Sequence, residues 1–360
     1  MKKILALVLA LAMVMMMFVA CKKEEEKSSS ELSGSVADPG KSSSVAGGGE
    51  KYDAYSLACV YSEITGDFWG IVYNGCMAAL DELKAEYGVD GYCVAPAASN
   101  DYTGQMDLLE AAVQKEVDGI VLCPCNADTI GTFVTDNFKD DSTPIIVIDR
   151  SLNTTSPAVV AQCLADAYSM GAEEGKLAVE AMGAKGNYVN LGISPENQSW
   201  ADRSYGAIDY IKENAPDMIH IPGEDPYWTD QNTEAQVLQY IADQITANPG
   251  PLAFITTAEN KTNQVVACVS EISAERAQEI IVIGFDFSKT GYELIVNDAM
   301  YGAVGQNPYM MGYNSAYLIC DYLAGTEVPE VAYVPYCVVT KDNLNSEEVK
   351  TYLASMKIEL

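Results

Sequence analysis

Short runs of purely apolar, mostly β-branched residues recur along this chain between stretches of helical spacing, and this alternation limits the possible folds more than any other feature. The clearest run is Ile145-Ile146-Val147-Ile148, set between Pro144 and the charged pair Asp149-Arg150. A strand without polar alternation is buried on both faces, as in a parallel sheet covered by helices. Open α/β sheets bind ligands at the carboxyl ends of their strands. A carboxylate beside a guanidinium there accepts from and donates to hydroxyls at once, as a polyol needs. The same pair also fits a loop salt bridge or a turn opener, and this stretch alone leaves both open.

The pattern predicts strands at 55–61, 91–95, 119–122 and from 145, with helices at 68–86, 103–116 and 127–138 between them. Connections of two to six residues make this one doubly wound lobe. The alternation restarts after Asp166, with helices at 168–182, 202–214, 233–247 and 263–273 and strands at 187–191, 218–221, 253–257 and 280–284. Strands at 301–305 and 334–339 and helices at 309–323 and 346–355 complete it. The fold class is therefore α/β, with two doubly wound parallel-sheet lobes. Length agrees, because the 310 residues after Glu50 exceed what one core ordinarily holds.

The first fifty residues are of another kind. Met1-Lys2-Lys3, an apolar stretch over 4–20 and then Cys21 before Lys22-Lys23-Glu24 form a secretory leader over 1–20. Phe18-Val19-Ala20-Cys21 resembles the lipobox of bacterial lipoproteins, which implies that Cys21 is lipidated and anchors an exported body to the membrane. Residues 21–50 are rich in Ser, Gly, Glu and Lys, with too little apolar surface to offset ordering entropy, and are expected to be a flexible tether.

A formal net charge of -30, about -32 without Lys2 and Lys3, repels phosphate backbones and argues against nucleic acid as a partner. Of ten cysteines, Cys59, Cys93, Cys123, Cys163, Cys268, Cys320 and Cys337 sit mostly inside apolar runs, where thiols behave as small hydrophobes. Nine remain after Cys21, and an odd number so placed points to a reducing habitat instead of a stapled fold. Cys123-Pro124-Cys125 lacks the two-residue spacer of redox and zinc motifs. The single histidine, His220, reads as a strand residue and leaves no Ser-His-Asp triad or two-histidine metal site. No cofactor and no metal are expected.

Several clusters fall at strand-to-helix junctions. Phe68-Trp69 opens a helix after Thr65-Gly66-Asp67; Arg203, in Ser199-Trp200-Ala201-Asp202-Arg203, stands at a helix start, where the dipole disfavours a cation. Pro226-Tyr227-Trp228 is another aromatic loop before a helix. Gly284-Phe285-Asp286 repeats the design of a buried strand ending in a carboxylate, and Gln306-Asn307 places two amides before a helix-starting proline. Taken singly, each reads equally as core, cap or turn.

Together, in this order, the chain resembles the ribose-type periplasmic sugar-binding proteins, the solute receptors of ABC importers, from about residue 55 to 343. The family's aromatic pair after its first strand falls on Phe68 and Trp69, without the usual asparagine and proline. Its Asp-Arg falls on Asp149 and Arg150, its R-x-x-G arginine on Arg203, its aromatic before the next helix on Trp228, its Gly-Phe-Asp on Gly284 to Asp286, and its hinge glutamine on Gln306. The family's Asn-Asp is blurred here to Glu259-Asn260, with Asn260 as the candidate. The resemblance implies a three-crossing hinge near Ala165-Asp166, Gln306-Asn307 and Pro335-Tyr336. It divides the chain into an N-terminal lobe of 51–165 plus 307–335 and a C-terminal lobe of 166–306 plus 336–360. It also implies a monomer that binds a monosaccharide between Trp69 and Trp228, with Trp200 a bystander, and hands it to a membrane permease. A nucleoside, polyol or quorum-signal ligand on the same fold is the alternative, and a carbohydrate-active enzyme using Asp149 and Asp286 is a more distant one.

Overall fold

The computed structural model describes residues 52–356. The leader, Cys21 and the tether lie outside the described residues. One sheet contains β1 (Ser56–Val60), β2 (Asp90–Val94), β3 (Gly119–Leu122), β4 (Ile145–Ile148), β5 (Val159–Ala165) and β12 (Val331–Val334), ordered β12-β5-β4-β3-β1-β2 with all pairings parallel. The other contains β6 (Gly186–Gly192), β7 (Met218–His220), β9 (Leu252–Thr256), β10 (Ile280–Phe285), β11 (Gly302–Gly305) and β13 (Cys337–Thr340), ordered β13-β11-β10-β9-β6-β7, and the short β8 (Tyr227–Trp228) pairs with β6. Only β13 runs antiparallel to its neighbour among these strands. β3, β4 and β9 are buried along their whole length, as purely apolar runs require.

Each sheet is covered on both faces. In the first lobe, α1 (Asp67–Tyr87) and α10 (Pro308–Leu323) close one apolar layer, and α2 (Tyr102–Gln114) and α3 (Ala127–Asn137) close the other. In the second, α4 (Ala167–Met182) and α5 (Gln198–Asn214) cover one face. The opposite face packs on α6 (Glu234–Ala247), α7 (Glu259–Ser270), α9 (Lys289–Val296) and α11 (Glu347–Ser355), with the single turn α8 (Ala274–Ala277) between α7 and β10. Among the described residues no helix is long and apolar enough to cross a membrane.

The same device brings helices together in both lobes. A Cβ on Gly171 of α4 would stand 2.0 Å from the Arg203 carbonyl oxygen of α5, and one on Gly312 of α10 would stand 2.0 Å from that of Val72 in α1. Backbone touches backbone there, and a side chain would force the helices apart.

The chain passes between sheets three times, after β5, between β11 and α10, and between β12 and β13. Two of these passages end in helix caps that the sequence signals: Asp166 accepts from Ser169 N, and Asn307 accepts from Met310 N ahead of Pro308. The expected single strand at 334–339 is instead two strands in different sheets, parted by Pro335 and Tyr336. Proline cannot donate to a ladder, so the break falls there. β5, β8 and α9 lie outside the sequence expectations. In β5 burial is broken and Gln162 interrupts the apolar run, so its pattern is weak where the chain leaves the lobe.

All nine cysteines among the described residues are free thiols. Those in the apolar layers serve as core, Cys59 and Cys76 with their sulfurs 3.3 Å apart.

Candidate functional site

Strand order reverses between β1 and β3 in one sheet and between β6 and β9 in the other, and the candidate residues gather at the carboxyl ends near these points. β4 is followed at once by Asp149, whose φ of 65° turns the chain sharply while its N–H still donates to Cys163 O at 3.2 Å. The turn sets Arg150 over the site: Nε lies 3.5 Å from Asp149 Oδ2, and Nη1 donates to Cys125 O at 3.3 Å. The two residues do form a salt bridge, and both also line the cavity.

From the second lobe, Asn197 caps α5 by accepting from Trp200 N at 3.3 Å, which places Trp200 and Arg203 one turn apart on the same helix. Arg203 is buried, with 6% exposure; its Nη1 donates to Thr257 O at 3.1 Å, and its Cζ lies 3.9 Å from the centre of the Phe285 ring. Asp286 directly follows β10, with φ of 64°. Gln306, on the passage from β11 to α10, donates through Nε2 to Asp286 Oδ1 at 2.8 Å, and its own carbonyl accepts from Tyr352 Oη at 2.6 Å. At the start of α7, Glu259 accepts from Ser288 Oγ.

These groups surround a cavity of about 380 Å³ between the lobes, within the ~300–1,000 Å³ of small-molecule sites. Phe68, Asp149, Arg150, Arg203, Asn260, Asp286 and Gln306 line it, and Glu259 lines it beside Asn260. A larger space of about 770 Å³ adjoins it across Phe68 and Asp286, bordered by Asn74, Asn263 and Lys289.

Two of the expected aromatics are placed differently. Trp228 is not among the lining residues: its ring is seated on Gly192, where an added Cβ would fall 2.4 Å from it, and meets Tyr205 edge-on at 6.2 Å. Trp69 also stands back from the lining; it backs Phe68 edge-to-face at 5.1 Å and lies 5.7 Å from Arg150 Cζ. Trp200 lines the cavity instead of standing by. Its spacing of three from Arg203 was the available signal, because residues three apart share a helix face.

Burial sets the electrostatics. It pushes the Asp149 carboxyl above the ordinary carboxylate range against the opposing pull of Arg150 and Arg203, with Asp286 adding to the rise. Asp286 is raised for the same reason, with Arg203 and the Gln306 hydrogen bond opposing. The Arg203 guanidinium is pulled down by burial and supported by Asp286, Asp149 and Glu174. Carboxylates that accept, a guanidinium that donates and amides that do both can engage a rim of hydroxyls in fixed geometry.

His220 is a strand residue and lies apart from the cavity. Its ring stacks on Tyr188 at 4.7 Å, Nδ1 donates to Gly223 O at 2.7 Å, and Nε2 accepts from Asn190 N at 3.3 Å. Burial lowers its pKa, in keeping with a neutral ring. Among the described residues no cluster of histidine, cysteine or carboxylate side chains is placed to hold a metal ion.

The sequence profile of the periplasmic binding protein domain matches residues 57–327. A D-apiose import binding protein of Actinobacillus succinogenes is 26% identical over 59% of this chain and 65% of its own length, so the match spans somewhat under two thirds of that relative. One of the same description from Paraburkholderia graminis is 26% identical over 74% of this chain and 83% of its length. Among solved structures, a carbohydrate transporter solute-binding protein of Agrobacterium radiobacter in complex with D-arabinose superimposes with a TM-score of 0.67 at 24% identity, covering 83% of this chain and 98% of that one. The profile match and the two-lobed parallel-sheet architecture agree: the chain belongs to the periplasmic binding protein domain family.

Proposed function

We propose that this chain is the solute receptor of an ABC importer, which captures a monosaccharide between its lobes and presents it to the permease. The observation that carries this is the meeting, around one cavity, of Asp149 and Arg150 from the first lobe with Arg203, Asn260 and Asp286 from the second. A sugar has apolar C–H faces and a hydroxyl rim. Phe68 and Trp200 supply flat apolar cover, and the charged and amide groups supply the rim contacts.

Because the polar groups come from both lobes, a bound sugar stabilises the closed arrangement, and closure is a population shift set by differential affinity. The moving bodies are 51–165 with 307–335 and 166–306 with 336–360. The permease reads the closed shape. The names of the curated relatives favour a pentose such as D-apiose. Export through the leader, anchoring through Cys21, action as a monomer and binding without turnover belong to the same proposal.

Thermal shift and calorimetry with D-apiose, D-arabinose, common hexoses, pentitols and nucleosides test it. Saturable 1:1 binding of a pentose or hexose, with raised apparent stability and the sugar recovered unchanged by chromatography, supports the proposal. Turnover of the sugar, or binding confined to nucleosides, overturns it. Cys21→Ala is expected to release the protein from membranes without altering affinity.

A further inference from the structure

The cavity of the candidate site continues past Phe68 and Asp286. The adjoining space of about 770 Å³ shares Phe68, Glu259, Asp286 and Gln306 with it, so the two are chambers of one cleft. Both lobes border the second chamber, and Gln306 and Pro308, on the passage between them, line it as well.

Helical spacing carries each lobe's contribution from one chamber to the next. On α1, Phe68 borders both chambers, and Ile71 and Asn74 follow it at intervals of three along the second. On α7, Glu259 borders both, and Asn263 follows four residues later. Residues three or four apart share a helix face, so two helix faces extend the cleft in parallel.

The polar groups differ between the chambers. Those of the first are tied within the protein, Arg150 to Asp149, Arg203 to Thr257 O and Gln306 to Asp286. In the second, the side chains of Asn74, Asn263, Lys289 and Thr290 make no hydrogen bond or ion pair among the described residues. Each amide both donates and accepts, and the two come from opposite lobes. Phe68, Ile71 and Phe287 add apolar surface. Apolar walls with a few convergent polar groups are what a small-molecule site presents, and a second sugar ring matches them with its C–H face and its hydroxyls. Glu259 and Asp286 stand where the chambers meet and Lys289 is the one cation among the described residues lining the second, so a neutral ring suits it better than an acidic one.

We propose that the cleft also takes a sugar extended by a second neutral ring, a disaccharide or a glycoside of that size. The first ring lies among Asp149, Arg203 and Asp286, and the second lies beside Ile71, Asn74 and Asn263. This rests on the sugar-binding reading of the first chamber and widens the ligand class beyond a free monosaccharide.

Calorimetry on the full chain tests it with D-apiose, D-arabinose, D-xylose and D-galactose. Each is measured beside the disaccharide in which its anomeric carbon is joined to the primary hydroxyl of D-glucose. For the monosaccharide that binds, the disaccharide is expected to bind one-to-one and at least as tightly. Asn263→Trp, at an exposed position, fills the second chamber. It is expected to melt like the unaltered chain, to weaken the disaccharide tenfold or more and to leave the monosaccharide unchanged. Asn74→Ala should weaken the disaccharide alone, roughly two- to tenfold, the size of one neutral hydrogen bond. A monosaccharide that binds while every disaccharide is rejected overturns the extension and leaves the monosaccharide reading standing. Binding of neither class overturns both. An equal loss of the two ligands in Asn263→Trp, or no loss of the disaccharide, removes the second ring from this chamber.

Discussion

Asp149 and Asp286 occupy the same position in two different sheets: each is the first residue after a buried strand, with φ of 65° and 64°. Each N–H still donates to the neighbouring strand, Asp149 to Cys163 O at 3.2 Å and Asp286 to Val304 O at 2.9 Å. The left-handed turn carries each carboxyl to the cavity, and aspartate and asparagine tolerate that conformation better than most residues.

Asn is therefore the substitution that removes charge and keeps the backbone. Asp149→Asn and Asp286→Asn are expected to melt close to the unaltered protein and to lose about 1.5–3 kcal/mol of sugar affinity, the range of a charge-assisted hydrogen bond. Calorimetry beside thermal melts checks both, and unchanged affinity in both variants removes the carboxylates from the site.

Trp200 lines the cavity while Trp228 is packed on Gly192, and these are two of the three tryptophans. The fluorescence change on sugar binding should vanish largely in Trp200→Phe and persist in Trp228→Phe. Trp228→Ala should cost about 3 kcal/mol of stability, at the lower end for removal of a packed tryptophan, with little change in affinity. A binding signal lost in Trp228→Phe would reverse the two roles.

Gly171→Ala tests the contact between α4 and α5. Its Cβ would meet the Arg203 carbonyl oxygen at 2.0 Å, so the helices must separate, at about 1–3 kcal/mol or more for overpacking. Because the clash falls on Arg203 itself, affinity should fall with stability. Gly312→Ala makes the equivalent clash in the other lobe against Val72 and should lower stability with the smaller effect on binding.

The buried carboxyls predict the pH dependence. Burial raises Asp149, Asp286 and, most of all, Glu174 above the ordinary carboxylate range. Over the window from that range up to the folded values, the native state binds more protons than the unfolded chain, so stability falls as pH rises through it. Melting should be higher near about pH 5 than near about pH 8 in the absence of sugar. The net charge of -30 acts in the same direction, so the informative quantity is the difference between the unaltered protein and Glu174→Gln. If Glu174→Gln leaves the slope unchanged, burial does not raise the Glu174 carboxyl, which is then ionised at neutral pH in the native protein as in the unfolded chain.

Much of the fold was legible because each element announces itself locally. Ile145 to Ile148 reads as a strand buried on both faces, and Pro308 marks the start of the helix that Asn307 caps. The polar part of the candidate site was legible for the same reason: Asp149, Asp286 and Gln306 directly follow strand ends, where α/β sheets expose side chains to a cleft, whereas Arg203, expected at a helix start, lies in the second turn of α5, which begins at Gln198.

The aromatic part was not. Trp200 and Trp228 both precede or open a helix in the second lobe, and nothing local separates them; the tertiary packing of Tyr205 and Gly192 captures Trp228 and leaves Trp200 at the cavity. Glu174 was silent for a related reason, since a glutamate among helix residues reads as a solvated face until α5 covers it. Periodicity reports that a face is buried; which neighbour buries it, and which of two equivalent rings lines the cavity, is settled only when distant elements pack. By itself the sequence determined the α/β alternation of the two lobes and the charged ends of β4 and β10. The tertiary structure decided the split of β12 from β13, the lining of the cavity and the burial of Glu174, because each depends on contacts between residues far apart in the chain.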